Sequence, residues 1–132
     1  ARSERALPWG RRGTRRRGDV LAPVCNAARS SPQRRDATRR HIAPAYELVD
    51  ILYCAAEQYP RLALGTNDVS IFERTLAWDH AAGVLWLNEA GGKAARPDGS
   101  PYRVDEVGRT GLLGAASPAL WDELADLYAK MD

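Results

Sequence analysis

Residues 78–92 read WDHAAGVLWLNEAGG, a stretch that is apolar on almost every side. It predicts a helix over residues 79–90. A helix with this composition belongs in the interior of a protein, so we expect Leu85 and Trp86 to be buried. Gly91 and Gly92 end the predicted helix, since glycine adopts the left-handed conformation of a helix C-cap without a side-chain penalty.

Downstream of this helix the pattern predicts a hairpin, a strand and a last helix. Residues 93–96 and 101–104 flank Pro-Asp-Gly-Ser at 97–100, and an Asp-Gly pair between two short runs is typical of a β-hairpin. Residues 111–116 form an apolar run that predicts a strand. Ser117 and Pro118 are suited to the N-cap and the first position of a helix. Its predicted apolar stripe is Leu120, Trp121, Leu124, Leu127, Tyr128 and Met131.

Upstream, residues 44–64 show helical spacing that Pro60 interrupts. A break near residues 50–54, with a second helix from about Ala55, places Pro60 closer to a tolerated first turn. Gly65 ends that helix, and residues 67–72 alternate enough to predict a strand. Helices alternate with strands, so the predicted fold class is α/β, with mixed α and β layers.

The charge is distributed unevenly over the 132 residues. Residues 1–40 hold 12 arginines against 3 acidic residues, while residues 41–132 carry a net charge of −7, which leaves +2 for the chain. We expect residues 1–40 to be a poorly ordered, arginine-rich segment and residues 41–132 to be the folded domain. An alternative is a basic arm that binds nucleic acid. Trp9 is the only aromatic residue there for base stacking, so we do not expect nucleic acid as a partner.

Membranes and disulfide frameworks are also not expected. No run of about 18 apolar residues is present, so the sequence offers no membrane-spanning helix. Two cysteines, Cys25 and Cys54, are too few for a disulfide framework or a zinc site. Reduced cysteines suggest a cytoplasmic location.

Asp79 is the candidate for a metal-binding residue. A carboxylate at a helix start lies at the positive end of the helix dipole, which favours its ionised form. Ionised carboxylates are oxygen ligands that suit magnesium, and the small residues at 81–83 leave room for a phosphate group. From the residues alone, the more common alternative is that Asp79 only caps its helix.

The run WDHAAG at 78–83, followed by EAGG at 89–92, resembles the second signature of the inositol monophosphatase family. These enzymes are magnesium-dependent phosphate monoesterases. The resemblance extends over residues 42–132, and it includes Cys-Ala-Ala-Glu-Gln-Tyr at 54–59. It corresponds to the C-terminal half of the family's layered sandwich fold.

The resemblance implies specific roles. Asp79 matches an aspartate that binds a catalytic magnesium ion, and Cys54 and Ala55 match small residues that lie near the substrate. The substrate would be a small phosphate monoester such as an inositol phosphate, a sugar phosphate or a nucleotide-like ester. A homodimer is compatible with the family, and His80 is interpreted as a supporting group.

The sequence also departs from the family pattern. The first signature, Asp-Pro-Xaa-Asp-Gly-Thr, is absent from the 132 residues, and no upstream acid matches the metal-bridging glutamate. Phe72, with Glu73 beside it, occupies the position of an acidic substrate contact. One carboxylate cannot organise metal-assisted hydrolysis, so no catalytic residue is assigned and the chain alone is expected to be inactive.

Three interpretations remain open from the sequence. In the first, the chain is a fragment or a truncated product of such a phosphatase. In the second, it is a non-catalytic binding or assembly module that retains the family's C-terminal surface. Nucleic-acid binding through the arginine-rich segment is the third and weakest reading.

Overall fold

The computed structural model describes residues 31–48 and 54–132. The described residues form a mixed α/β fold, which confirms the predicted class. In chain order the elements are α1 (Pro32–His41), α2 (Ala55–Ala63), β1 (Val69–Phe72), α3 (Ala77–Glu89), β2 (Lys93–Ala95), β3 (Leu112–Ala115) and α4 (Pro118–Ala129).

The three strands form an antiparallel sheet in the order β1-β3-β2. Because successive side chains of a strand point to opposite faces, each strand contributes to two cores. On one face, Ile71 and Leu113 pack with Trp121 and Leu124 of α4. On the other face, strand residues that include Leu112 pack under α2 and α3. The layers are therefore α4, the sheet, and the pair α2 and α3.

Helices α2 and α3 pack closely and run in the same direction. The ring of Tyr59 covers Gly83, where an added Cβ would lie 2.2 Å from a ring carbon. Further along both helices, Leu62 and Leu87 approach Gly114 of β3. Since the contacts advance along both helices together, the two helix starts lie at the same end of the layer.

Several predicted elements are confirmed. Helix α2 begins at Ala55 and is followed by Gly65, whose φ is 76°. Strands β1 and β3 lie within the predicted ranges. The side chain of Ser117 accepts a hydrogen bond from the N–H of Leu120 and Pro118 begins α4.

Helix α1 was not expected, and the predicted boundary between residues 40 and 41 falls inside it. Ser31 caps this helix by accepting from the N–H of Arg34 at 3.2 Å, and Pro32 begins it. Residues 1–30 and 49–53, which include most of the predicted break before α2, lie outside the described residues. Residues 44–48 are not helical, so the first helix predicted there is wrong over that range.

The predicted hairpin is half correct. The turn at 97–100 forms, with Gly99 at a φ of 88° and the Arg96 N–H donating to the Ser100 carbonyl at 2.9 Å. Residues 101–104 do not form a strand, and β2 pairs with β3 instead. Pro101 has no N–H to donate to a ladder, and Tyr102 anchors the returning chain through its side chain instead.

The burial predicted for α3 is wrong for Leu85 and only partly correct for Trp86. Leu85 is 65% exposed, whereas Trp86 is half-buried. The helix buries His80, Val84 and Leu87, and the opposite side is not covered by any described element. The burial predicted from the apolar composition of this helix is therefore higher than the burial observed among the described residues.

Candidate active site at the starts of helices α2 and α3

The structure places the three residues predicted for the site at one end of the α2–α3 layer. Cys54 is the exposed N-cap residue of α2 and Ala55 is its first residue. Asp79 lies exposed in the first turn of α3. Tyr59 follows Ala55 by about one helical turn, and it contacts His80, the neighbour of Asp79. The parallel packing thus brings both helix starts to the same side.

These two helix starts differ from the starts of α1 and α4. Ser31 and Ser117 cap α1 and α4 through their side chains. Among the described residues, no side chain caps α2 or α3, whose N-cap residues are Cys54 and Leu76. Helix starts with unsatisfied N–H groups are suited to bind anions such as phosphate.

Asp79 is not the cap of its helix. The N-cap position belongs to Leu76, whose carbonyl accepts from the N–H groups of Asp79 and His80 at 3.0 and 3.1 Å. Within the described residues, no hydrogen bond or ion pair of the Asp79 carboxylate is found. Asp79 is therefore not the N-cap residue of α3, and its carboxylate is exposed in the first turn of the helix.

The loop that leads into α3 is held by a buried arginine. Arg96 is 1% exposed, and its Nη1 donates to Thr75 Oγ1 at 2.9 Å and to the Gly111 carbonyl at 2.9 Å. The Glu106 carboxylate lies 3.0 Å from the same guanidinium group. The hydroxyl of Tyr102 donates to the Thr75 carbonyl at 2.9 Å. These bonds fix the backbone just before the first turn of α3.

His80, the neighbour of Asp79, contacts helix α2 through a buried hydrogen bond. Its Nδ1 lies 2.6 Å from the hydroxyl of Tyr59, and both residues are buried. Burial lowers the pKa of His80 and raises the pKa of Tyr59. A hydrogen bond with the backbone of Arg74 acts in the opposite direction and raises the pKa of His80. His80 thus ties α2 and the loop before α3 together, next to Asp79.

Phe72 occupies the position at which the family resemblance predicts an acidic substrate contact. Phe72 is 7% exposed, and its ring stacks on Tyr59 with centroids 5.3 Å apart. The carboxylate of Glu73 lies 3.2 Å from Arg34 Nε. Arg34 also pairs with Asp132 at 2.8 Å. Glu73 therefore joins α1 to the rest of the fold, and sequence reasoning missed this role of Arg34 because the two residues are 39 positions apart.

The described residues do not form a complete metal site. Over residues 31–48 and 54–132, no group of three or more His, Cys, Asp or Glu side chains is placed to hold an ion. Magnesium demands octahedral coordination by oxygen atoms, and Asp79 offers one carboxylate.

The helices of residues 31–48 and 54–132 include none with the length and apolar character that a membrane span requires.

Comparison with known proteins identifies the family. The profile of the inositol monophosphatase family matches residues 11–131. Among curated proteins, none matches the sequence significantly. The match begins at residue 11, so it extends further upstream than the resemblance recognised from residue 42 onward.

Solved structures share the fold at low sequence identity. SaIMPase-II with bound 2′AMP has a TM-score of 0.75 at 18% identity, over 96% of this chain and 48% of that one. The inositol monophosphatase of Anabaena (Nostoc) sp. PCC 7120 has a TM-score of 0.66 at 22% identity, over 84% and 42%. The extragenic suppressor protein SuhB of Bartonella henselae has a TM-score of 0.67 at 20% identity, over 91% and 47%.

This chain spans less than half of the length of each of these structures. The family profile, which matches residues 11–131, includes the sheet, helices α2 and α3, and Asp79. Because the family profile covers most of the sequence, the chain belongs to the inositol monophosphatase family.

Proposed function

We propose that this chain is the C-terminal part of a magnesium-dependent phosphatase that hydrolyses a small phosphate monoester. The observation that carries the proposal is the exposed carboxylate of Asp79, in the uncapped first turn of α3 and at the same end as the uncapped start of α2. Asp79 would supply one ligand to the metal ion. Family membership supports the reaction class.

The start of α2 would contact the substrate. Cys54 and Ala55 have small side chains, which leave the N–H groups of the first turn accessible to a phosphate oxygen. The 2′AMP bound to SaIMPase-II is a phosphate monoester, and this supports an inositol phosphate, a sugar phosphate or a nucleotide-like ester as the substrate class. Further metal ligands would come from outside the described residues.

A magnesium titration tests the role of Asp79. We expect the side-chain NMR signals of Asp79 to shift in roughly the millimolar range, because one carboxylate leaves most of the coordination to water. In Asp79→Asn, magnesium should leave the signals of the substituted side chain unchanged. In Glu89→Gln, which changes an exposed acid at the other end of α3, the shift of Asp79 should persist. No shift of Asp79 at high magnesium concentration would refute the metal role.

An activity assay tests the need for further ligands. With magnesium present, the chain alone should hydrolyse neither inositol monophosphate nor 2′AMP above background, because residues 31–48 and 54–132 form no group of three or more metal ligands. Turnover that disappears in Asp79→Asn would show that the chain completes the site by itself or with a second copy. The predicted homodimer and cytoplasmic location stay predictions.

A non-catalytic binding module is the second candidate. It is favoured by the lack of a three-ligand cluster among the described residues. Such a module would bind a phosphate ester at the starts of α2 and α3 without magnesium. Equal affinity for 2′AMP with magnesium and with a chelator, measured by calorimetry, would favour this candidate over the phosphatase.

A further inference from the structure

Thr75 is the buried residue that precedes the N-cap residue of α3. It is 8% exposed, and Leu76, the N-cap residue, follows it. Ser31 and Ser117 cap α1 and α4 through their hydroxyl groups, but leucine has no side-chain oxygen that could accept a hydrogen bond from the first turn. Helix α3 therefore begins without the side-chain bond that holds the starts of the other two helices.

The hydroxyl of Thr75 makes two hydrogen bonds to the β2–β3 connection (residues 96–111). Its Oγ1 accepts from Arg96 Nη1 at 2.9 Å and donates to the Arg109 carbonyl at 3.1 Å. The directions are fixed by chemistry, because a guanidinium group can only donate and a carbonyl can only accept. The hydroxyl thus acts as donor and acceptor at once, and a side chain of the same shape without it could make neither bond.

The backbone around this hydroxyl is bonded to the same connection. The Tyr102 hydroxyl donates to the Thr75 carbonyl at 2.9 Å, and the Gly111 N–H donates to the Glu73 carbonyl at 3.0 Å. The β2–β3 connection therefore holds residues 73–75 through side-chain and backbone groups together.

Glu106 strengthens the attachment of Thr75. Its carboxylate lies 3.0 Å from the guanidinium group of Arg96 and 3.0 Å from that of Arg109, so the two arginine residues that bond Thr75 share one acid. The bond from Arg96 to Thr75 is charge-assisted, which makes it stronger than a bond between neutral groups.

The attachment of Thr75 ends where the bonds of α3 begin. The Leu76 carbonyl accepts from the N–H groups of Asp79 and His80 at 3.0 and 3.1 Å. Thr75 and Leu76 share a planar peptide unit, so a movement of the Thr75 carbonyl also moves Leu76 and the turn bonded to it. We propose that Thr75 is the positioning residue for Asp79, because its hydroxyl and carbonyl fix the point from which the first turn of α3 starts. Its effect on a metal ion rests on the proposed function, whereas its hold on this turn does not.

Two substitutions of Thr75 separate its hydroxyl from its shape. Thr75→Val keeps the shape and removes the hydroxyl, whereas Thr75→Ser keeps the hydroxyl. Without magnesium, hydrogen exchange of the Asp79 and His80 amides should be about fivefold faster in Thr75→Val, as expected for the loss of one hydrogen bond, and should keep the wild-type rate in Thr75→Ser. In a magnesium titration, the Asp79 side-chain signals of Thr75→Val should require about threefold more ion, less than the factor of about ten for residues that bond a metal ligand directly.

Thr38→Val is the matched control. Thr38 is also buried, and its hydroxyl donates to the Arg34 carbonyl at 2.9 Å, within α1. Its substitution should change neither the exchange of the Asp79 and His80 amides nor the magnesium response. If Thr75→Val does not fold, Tyr102→Phe, which removes the hydroxyl that donates to the Thr75 carbonyl, should accelerate the same exchange.

The outcomes distinguish this proposal from the proposed function. Unchanged exchange in Thr75→Val, or equal acceleration in Thr75→Ser, would overturn the proposal. Faster exchange with an unchanged magnesium response would overturn the positioning role, because Thr75 would then be only structural. A wild-type protein in which Asp79 does not respond to magnesium would refute the proposed function instead, and the exchange rates alone would then decide whether Thr75 fixes the start of α3.

Discussion

The hydroxyl of Tyr59 on α2 lies 2.6 Å from Nδ1 of His80 on α3, in the buried contact between the two helices. The same Tyr59 ring covers Gly83 and stacks on Phe72. One side chain thus sets the separation of the helices and their relative position along the axis. The alignment of Asp79 with the start of α2 depends on this contact.

Removing the Tyr59 hydroxyl should destabilise the fold. In Tyr59→Phe, Nδ1 of His80 stays buried and loses its hydrogen-bond partner, and an unsatisfied buried polar atom costs about 1–3 kcal/mol. Urea denaturation followed by circular dichroism measures the free energy of unfolding. A loss below about 0.5 kcal/mol would show that the bond contributes little.

The stability of the protein should fall as the pH is lowered from 7 to 5. Burial lowers the pKa of His80 below its usual 6.5, so the unfolded state binds a proton that the folded state does not. The group's contribution is therefore complete above pH 6.5 and is lost progressively below it, by up to about 1.4 kcal/mol per pH unit. Of the nearby charges, Asp79 raises this pKa and Arg96 lowers it.

The control for this prediction is His80→Asn, which cannot titrate but keeps a polar group on the same helix position. Urea denaturation at pH 5, 6 and 7 should give a flatter pH profile for His80→Asn than for the wild type. Parallel profiles for the two proteins would show that the loss of stability comes from other groups.

Gly83 is required for the close approach of α2 and α3. An alanine Cβ there would lie 2.2 Å from the Tyr59 ring, so Gly83→Ala should lose about 1–3 kcal/mol through overpacking. This loss opposes the gain of roughly 1 kcal/mol that alanine has over glycine inside a helix. Thermal unfolding measures the difference. In the background of Tyr59→Ala the same substitution should become stabilising, and a stabilising effect with Tyr59 present would contradict the contact.

Local signals made much of the fold predictable. Helix α4 has a Ser-Pro start and a regular apolar stripe, and α2 ends shortly before a glycine. In both cases the residues that indicate the helix boundary lie within a few positions of it. Helix α1 has few apolar residues, and Arg34 connects it to Glu73 and Asp132 far along the chain. Such partners cannot be read from local sequence. The same limit explains the hairpin, since the partner of β2 is β3 rather than its neighbour in sequence.

The position of Asp79 could be predicted from a sequence motif, whereas the packing contacts around it could not. The motif placed Asp79 in the first turn of a helix, and the structure agrees. The contact between Tyr59 and His80 joins residues 21 positions apart, and no pattern in either segment indicates it. Exposure on α3 was missed because composition alone does not tell which side of an apolar helix lacks a neighbour.

Two leucines of α3 provide a matched test of that exposure. Leu85 is 65% exposed, so Leu85→Ala should change the free energy of unfolding by less than about 0.5 kcal/mol. Leu87 is fully buried under the sheet, so Leu87→Ala should cost about 2–5 kcal/mol. Chemical denaturation of both variants measures the two values. Similar losses for the two variants would mean that both sides of α3 are buried in solution.

The last prediction concerns the loop that positions Asp79. Arg96 uses its planar guanidinium to reach Thr75, Gly111 and Glu106 at once, and the single ammonium group of lysine cannot reproduce this geometry. Arg96→Lys should therefore cost about 3 kcal/mol, as expected for breaking a buried charged network. It should also speed hydrogen exchange of the backbone amides at 73–77. Arg103→Lys, which alters an exposed pair with Asp105, should change neither quantity. If Arg96→Lys left exchange at 73–77 unchanged, the start of α3 would be held by the Tyr102 bond to Thr75 instead.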